Sequence, residues 1–328
     1  MRAIFYLIIV LGIEYVSFAS QFDPPAGFVL ANCPNDPNTN FFFKQDVCYL
    51  DPNRVEKMDI YMPNTDGGQD CFPAVLIIHG GGWIGGDKAS MREKQIAYTL
   101  VKAGYAVFSI NYQLAKYTKK NGKVEKWIIE GWPQNIYDCK TAVRYIRKNA
   151  GSLGVDPDQI GVMGASAGGH LALLTALSAN DTELNMGGFY NEFPSDVKCV
   201  VDLYGIPDVN KFGAYIFERA PNGLEKASPV NYLSASTPPI LIIHGDKDVV
   251  VNINFSKDFI DILRIKNIIY EFIIVPNGIH SFDINPAEMD LRPATLRFLG
   301  KYLKNSTSRK QLIRSFIIDD TSKKYSNF

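Results

Sequence analysis

Gly164-Ala165-Ser166-Ala167-Gly168 sets one serine between small residues, with an apolar run before it and an Ala/Leu-rich run after it. Residues 160–163 read as a short buried strand and residues 170–177 as a helix. A serine on such a strand-to-helix turn projects its hydroxyl from the top of a sheet. The glycines are required because a Cβ at either flank would strike the neighbouring strand or helix. The following helix points its N-terminus at the same place and favours negative charge developing there. The chemistry this predicts is nucleophilic attack on a carbonyl carbon, for which the hydroxyl needs a base.

The chain has four histidines: His79, His170, His244 and His280. A carboxylate must also hold the base in one tautomer and stabilise its imidazolium. On a serine turn of this type the chain order is serine, acid, histidine. Residues 239–244 form a β-type run ending in His244-Gly245-Asp246-Lys247-Asp248. A carboxylate just past the carboxyl end of a parallel strand lies at the edge where such sheets bind ligands. Asp246 and Asp248 are both candidates, although Gly245-Asp246 is also ordinary turn chemistry. Residues 270–275 are another β-type run, followed by Pro276-Asn277-Gly278-Ile279-His280. A histidine in that loop can meet both partners, so His280 is the expected base. His170, on the helix after the serine, and His244, ending a buried strand, are expected to be hydrogen-bonded structural histidines.

Attack on a carbonyl places charge on its oxygen, and backbone N–H groups aimed there stabilise it. Residues 74–78 are an apolar strand leading into His79-Gly80-Gly81-Gly82-Trp83. The N–H groups of Gly81 and Gly82, with that of Ala167, are the expected oxyanion hole. A glycine-rich loop also raises phosphate binding. Residues 80–88 lack the Walker spacing, and no G-x-G-x-x-G follows a first strand with an acidic partner downstream.

These residues together resemble the His-Gly-Gly-Gly esterases of the α/β-hydrolase fold, and within them the BD-FAE-like branch of feruloyl and acetylxylan esterases. The resemblance runs over about residues 50–303. It is carried by His79-Gly80-Gly81-Gly82-Trp83-Ile84-Gly85-Gly86-Asp87-Lys88, Asn111-Tyr112, residues 154–171 around Ser166, Ser228-Pro229-Val230, His244-Gly245-Asp246-Lys247-Asp248 and Gly278-Ile279-His280. It implies a Ser166-Asp248-His280 triad and selects Asp248 over Asp246. It also implies an ester substrate with a small acyl or hydroxycinnamoyl group, xylan esters among the candidates, and no metal or organic cofactor. Relatives of this kind act on acetylated or feruloylated xylan, on aryl esters and, in one branch, on formamides. An amidase, formamidase or peptidase on the same fold is therefore the alternative, and a binding protein without turnover is a third reading that the complete set of groups opposes. Trp83, Tyr112 and Tyr204 follow strands and are candidates to line the substrate pocket, or else core aromatics. Trp127 and Trp132 lie in or beside a Lys-rich insertion, residues 116–131, that could cover the site, where an aromatic is a candidate to stack on a ferulate ring or a sugar or else packs in the ordinary way. Asp138, Arg144 and Arg147 read as structural ion pairs on one helix.

Strands and helices must alternate to position such a set. Candidate helices at 88–102, 134–149, 166–178, 255–266 and 286–303 alternate with the apolar runs, which predicts a mostly parallel α/β sheet with helices on both faces. The 328 residues are 46% hydrophobic with formal net charge zero, enough for one substantial core and giving no reason to expect nucleic-acid binding. No repeat or long apolar lid is visible, which weighs against a long-chain lipase. Arg2, the apolar residues 3–10 and Ser17-Phe18-Ala19 predict a signal peptide at 1–19 and a secreted protein, and Glu14 argues against a retained anchor. No stable membrane span is expected after cleavage. Residues 20–50 are then expected to be a loop-rich segment, 51–304 the catalytic domain and 305–328 a peripheral tail. Of the five cysteines, Cys33 and Cys48 are the candidate disulfide, while Cys139 and Cys199 read as packed thiols. Three Asn-X-Ser/Thr sequons, at Asn180, Asn254 and Asn305, matter only in a eukaryotic host.

Overall fold

A computed structural model describes residues 26–34, 36–64, 71–121, 123–220 and 222–304. The expected signal segment and the tail lie outside the described residues. The strands are β1 (Val29–Cys33), β2 (Asp36–Val47), β3 (Met58–Pro63), β4 (Phe72–Ile78), β5 (Ala106–Ile110), β6 (Lys116–Lys120), β7 (Lys123–Ile129), β8 (Val155–Ala165), β9 (Cys199–Leu203), β10 (Ile240–Gly245) and β11 (Tyr270–Val275). Nine form one sheet in the order β1-β2-β3-β5-β4-β8-β9-β10-β11, and β6 with β7 makes a separate hairpin. From β5 to β11 every neighbour in the sheet is parallel. The β1, β2 and β3 side is antiparallel. This is the α/β-hydrolase architecture that the resemblance implies.

The central strands are continuous apolar runs because both of their faces are covered. Along β4, Ala74, Leu76 and Ile78 join one core with the helices Gln134–Lys148, Ala167–Leu177 and Asn254–Ile265. Val75 and Ile77 join the other, with the helices Met91–Lys102 and Arg292–Leu303. The last helix begins six residues later than the pattern suggests, with Pro293 in its first turn, where a missing N–H costs nothing. Among the described residues no helix is long and apolar enough to cross a membrane.

Two expectations are corrected at the N-terminal side. Residues 29–47 are not loop-rich: β1 and β2 extend the sheet. Phe41 turns inward, with its ring 5.7 Å from both Tyr61 and Tyr98. The Asn/Asp/Pro-rich approach to those phenylalanines hid the strand. No disulfide joins Cys33 to Cys48. Cys33 pairs with Asp36 at one end of β2, whereas Cys48 follows Val47 at the other. A strand of that length spans on the order of 35 Å, while a disulfide needs Cα atoms within about 7 Å. Cys48 Sγ instead accepts from Lys57 Nζ at 3.2 Å. Cys139 and Cys199 are buried thiols, as expected.

Candidate active site

Four loops meet at the carboxyl edge of the parallel strands, after β4, β8, β10 and β11. Ser166 is the residue between β8 and the helix Ala167–Leu177, with φ 56° and ψ −122°. A non-glycine residue held there costs on the order of 1–3 kcal/mol. The surroundings impose it: Ser166 N–H donates to Leu203 O at 2.9 Å, and Ser166 O accepts from His170 N–H at 2.9 Å. The helix packs close behind. A Cβ on Gly168 would lie 2.1 Å from Ile78 O and 2.5 Å from His79 O.

The structure brings Ser166, His280 and Asp248 into one line. Ser166 Oγ donates to His280 Nε2 at 2.9 Å, and His280 Nδ1 donates to Asp248 Oδ2 at 2.7 Å. A carboxylate only accepts, so Nδ1 carries the proton and Nε2 is free to receive one. Burial alone would raise the Asp248 pKa, but hydrogen bonds from His244, His280 and the Val251 N–H outweigh it and hold the carboxyl well below the usual range. Its other oxygen, Oδ1, accepts from Val250 N–H and Val251 N–H, each at 2.9 Å. Asp246 stands apart from this line and shapes the loop, accepting from Asn277 N–H at 2.7 Å.

His170 and His244 are buried and hydrogen-bonded at both nitrogens. His170 Nδ1 accepts from Trp83 Nε1 at 3.0 Å, and Nε2 donates to Ala227 O at 2.7 Å. Burial pushes its pKa down to about 4. His244 Nδ1 accepts from Ser256 Oγ and Nε2 donates to Val251 O, both at 2.8 Å. The structure adds a contact that a strand-end histidine does not announce in sequence: Nε2 is also 3.3 Å from Asp248 Oδ2.

Gly81 and Gly82 take φ +122° and +61° in the loop after β4. Among the described residues neither N–H donates to a protein acceptor. Ala167 is the first residue of its helix, where an N–H has no partner within the helix. Arg92, from the helix Met91–Lys102, supports this loop and was missed in sequence. Its guanidinium reaches Gly80, since a Cβ there would be 3.1 Å from Nη2. It also donates to Tyr204 Oη at 3.5 Å and to Glu93 Oε1 at 2.7 Å. No motif marks a helix-start arginine for this task.

The three candidate pocket aromatics are buried, in keeping with the core alternative, although Tyr112 also borders the cleft beside the glycine loop. Trp83 is 4% exposed and wedged edge-on against Phe217, its N–H already given to His170. Tyr112 stacks on His79 at 4.4 Å and donates to His79 O. Tyr204 donates to Phe282 O and sets its ring edge-on to His280 at 4.8 Å. Each supports the loops from behind, because burying a ring and satisfying its polar tip together stabilise more than exposing it. Trp132 is buried beside Phe217, and Trp127 pairs with Tyr117 across the hairpin. Asp138 binds Arg54 through both oxygens, at 2.6 and 3.2 Å, and Arg144 and Arg147 donate to loop carbonyls; all three are structural. A cleft of about 370 Å³ lies beside the glycine loop, bordered by His79, Asp87, Asn111, Arg54, Lys116 and Ile129.

The family model described as BD-FAE matches residues 58–263. The chain is 28% identical to Esterase LipC of Mycobacterium tuberculosis over 233 residues, 65% of this chain and 53% of that protein. It is 29% identical to Esterase LipQ of the same organism over 275 residues, 78% of this chain and 62% of that protein. The chain thus spans only part of the length of these relatives. A solved structure described as a truncated form of carbohydrate esterase from gut microbiota superposes with TM-score 0.66 at 27% identity, covering 79% of this chain and 95% of that one.

Proposed function

As the chain belongs to the BD-FAE family, matched over residues 58–263, we propose that it is a serine carboxylic-ester hydrolase working through an acyl-enzyme. The observation that carries this reading is the line from Ser166 Oγ through His280 to Asp248, at 2.9 and 2.7 Å, beside N–H groups without acceptors. Ser166 Oγ attacks the ester carbonyl while its proton passes to His280 Nε2. The N–H groups of Gly81, Gly82 and Ala167 receive the oxyanion. The tetrahedral intermediate collapses, His280 Nε2–H protonates the departing alkoxide, and Ser166 is left acylated. Water then attacks the acyl group, giving its proton to the same nitrogen, and the acid leaves as Ser166 regains its proton. Asp248 keeps the Nδ1–H in place and offsets the imidazolium charge throughout.

The substrates we propose are acetyl or feruloyl esters of plant cell-wall polysaccharide. The likeness to a carbohydrate esterase supports that class. The reading includes secretion, supported by Arg2, the apolar residues 3–10 and Ser17-Phe18-Ala19.

A fluorophosphonate probe should label the wild-type protein at Ser166, and Ser166→Ala should lose both the label and aryl-acetate hydrolysis while melting within a few degrees of wild type. Turnover retained by the pure variant would refute the assignment. A matched ester and amide pair decides the bond cleaved, since a strong amide preference overturns the ester reading. Release of acetate against ferulate from arabinoxylan identifies the acyl group.

A further inference from the structure

Residues 116–126, which span nearly all of the β6–β7 hairpin, hold Lys116, Lys119, Lys120, Lys123 and Lys126 against the single Glu125, in a chain whose formal net charge is zero. Lys116, Lys119, Lys120 and Lys126 are exposed. Lys120 has Glu125 at 4.0 Å, while Lys116, Lys119 and Lys126 have no carboxylate partner among the described residues. The register sets Lys120 opposite Lys123 in the backbone ladder. Charge on an isolated two-stranded ribbon guards its edges against pairing with other chains. Glutamates would repel an incoming strand as well, so the choice of sign needs another reason.

The hairpin's position supplies one. It follows the carboxyl end of β5, so it stands at the same sheet edge as the loops carrying Ser166, Asp248 and His280. Ala115 N–H, just before β6, donates to Trp83 O at 2.9 Å, one residue beyond Gly82. Lys116 and Ile129 border the 370 Å³ cleft beside His79. The other cations near this cleft are already engaged. Arg54 binds Asp138 and Glu56 at 2.6 and 2.7 Å, and Lys88 binds Asp59 and Asp46 at 2.7 and 2.8 Å. The facing acids are engaged too: Asp87 accepts from Asn111 Nδ2 and Ala89 N–H, and Glu130 pairs with Arg219. Positive charge beside this cleft without a carboxylate partner among the described residues is therefore that of Lys116, Lys119 and Lys126, with Lys119 Nζ also 5.4 Å from the Tyr117 ring centroid. Tyr117 and Trp127 lock the ribbon through an edge-to-face pair at 5.1 Å, so it presents ammonium groups on a fixed support.

We propose that this hairpin docks a uronate-bearing polysaccharide, so that the site takes esters carried on an acidic glycan. The proposal rests on the esterase reading and names its substrate class. Ammonium groups on flexible stems suit carboxylates recurring along a polymer, whereas one fixed carboxylate is better matched by an arginine fork. Docking on the hairpin raises the local concentration of ester at the neighbouring loops, and salt screens the effect.

The test compares kcat/KM on an acetylated, uronate-bearing xylan with that on the same polymer after its carboxylates are reduced to alcohols, with a small aryl acetate as standard. Wild type should favour the acidic polymer by roughly ten-fold at low salt. Lys119→Gln/Lys120→Gln/Lys126→Gln should lose that preference, as should wild type in about 0.5 M NaCl, with aryl-acetate rates level throughout. Equal rates on the two polymers, or a preference that survives the triple substitution, overturn the proposal while aryl-acetate turnover keeps the esterase reading in place. If the aryl acetate is not hydrolysed, the esterase reading fails separately, and gel retardation of Ser166→Ala by acidic against reduced xylan still decides the partner. Equal retardation by nucleic acid or anionic vesicles counts against the glycan.

Discussion

His244 Nε2 stands 3.3 Å from Asp248 Oδ2, the same oxygen that His280 Nδ1 approaches at 2.7 Å. Asp248 thus has an imidazole on either side, and the inner one is locked by Ser256 and Val251. His244→Ala removes a buried donor shared by Asp248 and Val251 O, and should cost about 2–4 kcal/mol of stability. It should also lower kcat by an order of magnitude with little change in KM, since it moves the acid and not the substrate. His244→Gln restores an N–H and should recover most of kcat. Aryl-acetate kinetics of the two variants check this, and equal kcat losses would mean that the donor is irrelevant.

Asp248→Asn should lower kcat by about 10⁴-fold, because an amide favours the wrong tautomer of the imidazole. KM should hardly move. The contrasting control is Asp246→Asn, which disturbs only the loop hydrogen bond to Asn277 N–H. Steady-state rates in which the two variants lose equally would reverse the choice of acid.

Gly81 and Gly82 should respond differently to alanine. A Cβ on Gly81 would lie 2.1 Å from Gly85 O, whereas one on Gly82 meets only Ile84 Cγ1 at 3.9 Å. Gly81→Ala should therefore displace the loop and lower kcat by about 10²–10³-fold, the scale of a lost oxyanion donor. Gly82→Ala, in the left-handed helical region, carries a strain of about 1–2 kcal/mol and should stay within ten-fold of wild type. Comparable kcat values for the two variants would remove the loop geometry from the account.

Asp202, at the centre of the sheet behind Ser166, has its pKa pushed up to about 7 by burial, against the weaker opposing pull of His244 and the Gly205 N–H. The unfolded carboxyl titrates near about 3.9. Between those values the folded state binds the extra proton, so this group makes stability fall as pH rises from about 4 to 7. Asp202→Asn, which keeps an oxygen to accept from Gly205 N–H, should gain on wild type across that window by on the order of 4 kcal/mol. Urea unfolding at pH 4.5 and 8 measures the difference, and a constant gap at both would exclude the titration.

Much of the fold was legible because buried parallel strands must be unbroken apolar runs, and residues 74–78 and 160–163 are such runs, while the edge strand at 270–275 is apolar apart from Glu271 and only partly buried. The serine turn was legible because its glycines answer a steric demand that appears as a local pattern. The β1–β2 hairpin was not, since its strand begins in Asn- and Pro-rich sequence and is held by contacts of Phe41 with Tyr61 and Tyr98 far along the chain. Arg92 carried no signal for a similar reason: its partners Gly80 and Tyr204 belong to two other loops.

By itself the sequence determined which residues had chemistry to offer, and in what order they leave the strands. A hydroxyl, a carboxylate and an imidazole each sit just past a strand end, and parallel pairing carries every such end to one edge. Only the tertiary structure decided which way side chains turn: Trp83, Tyr112 and Tyr204 inward, His244 onto Asp248, and Cys33 a full strand's length from Cys48. Those outcomes depend on register and on rotamers set by neighbours distant in the chain, and no local spacing encodes either.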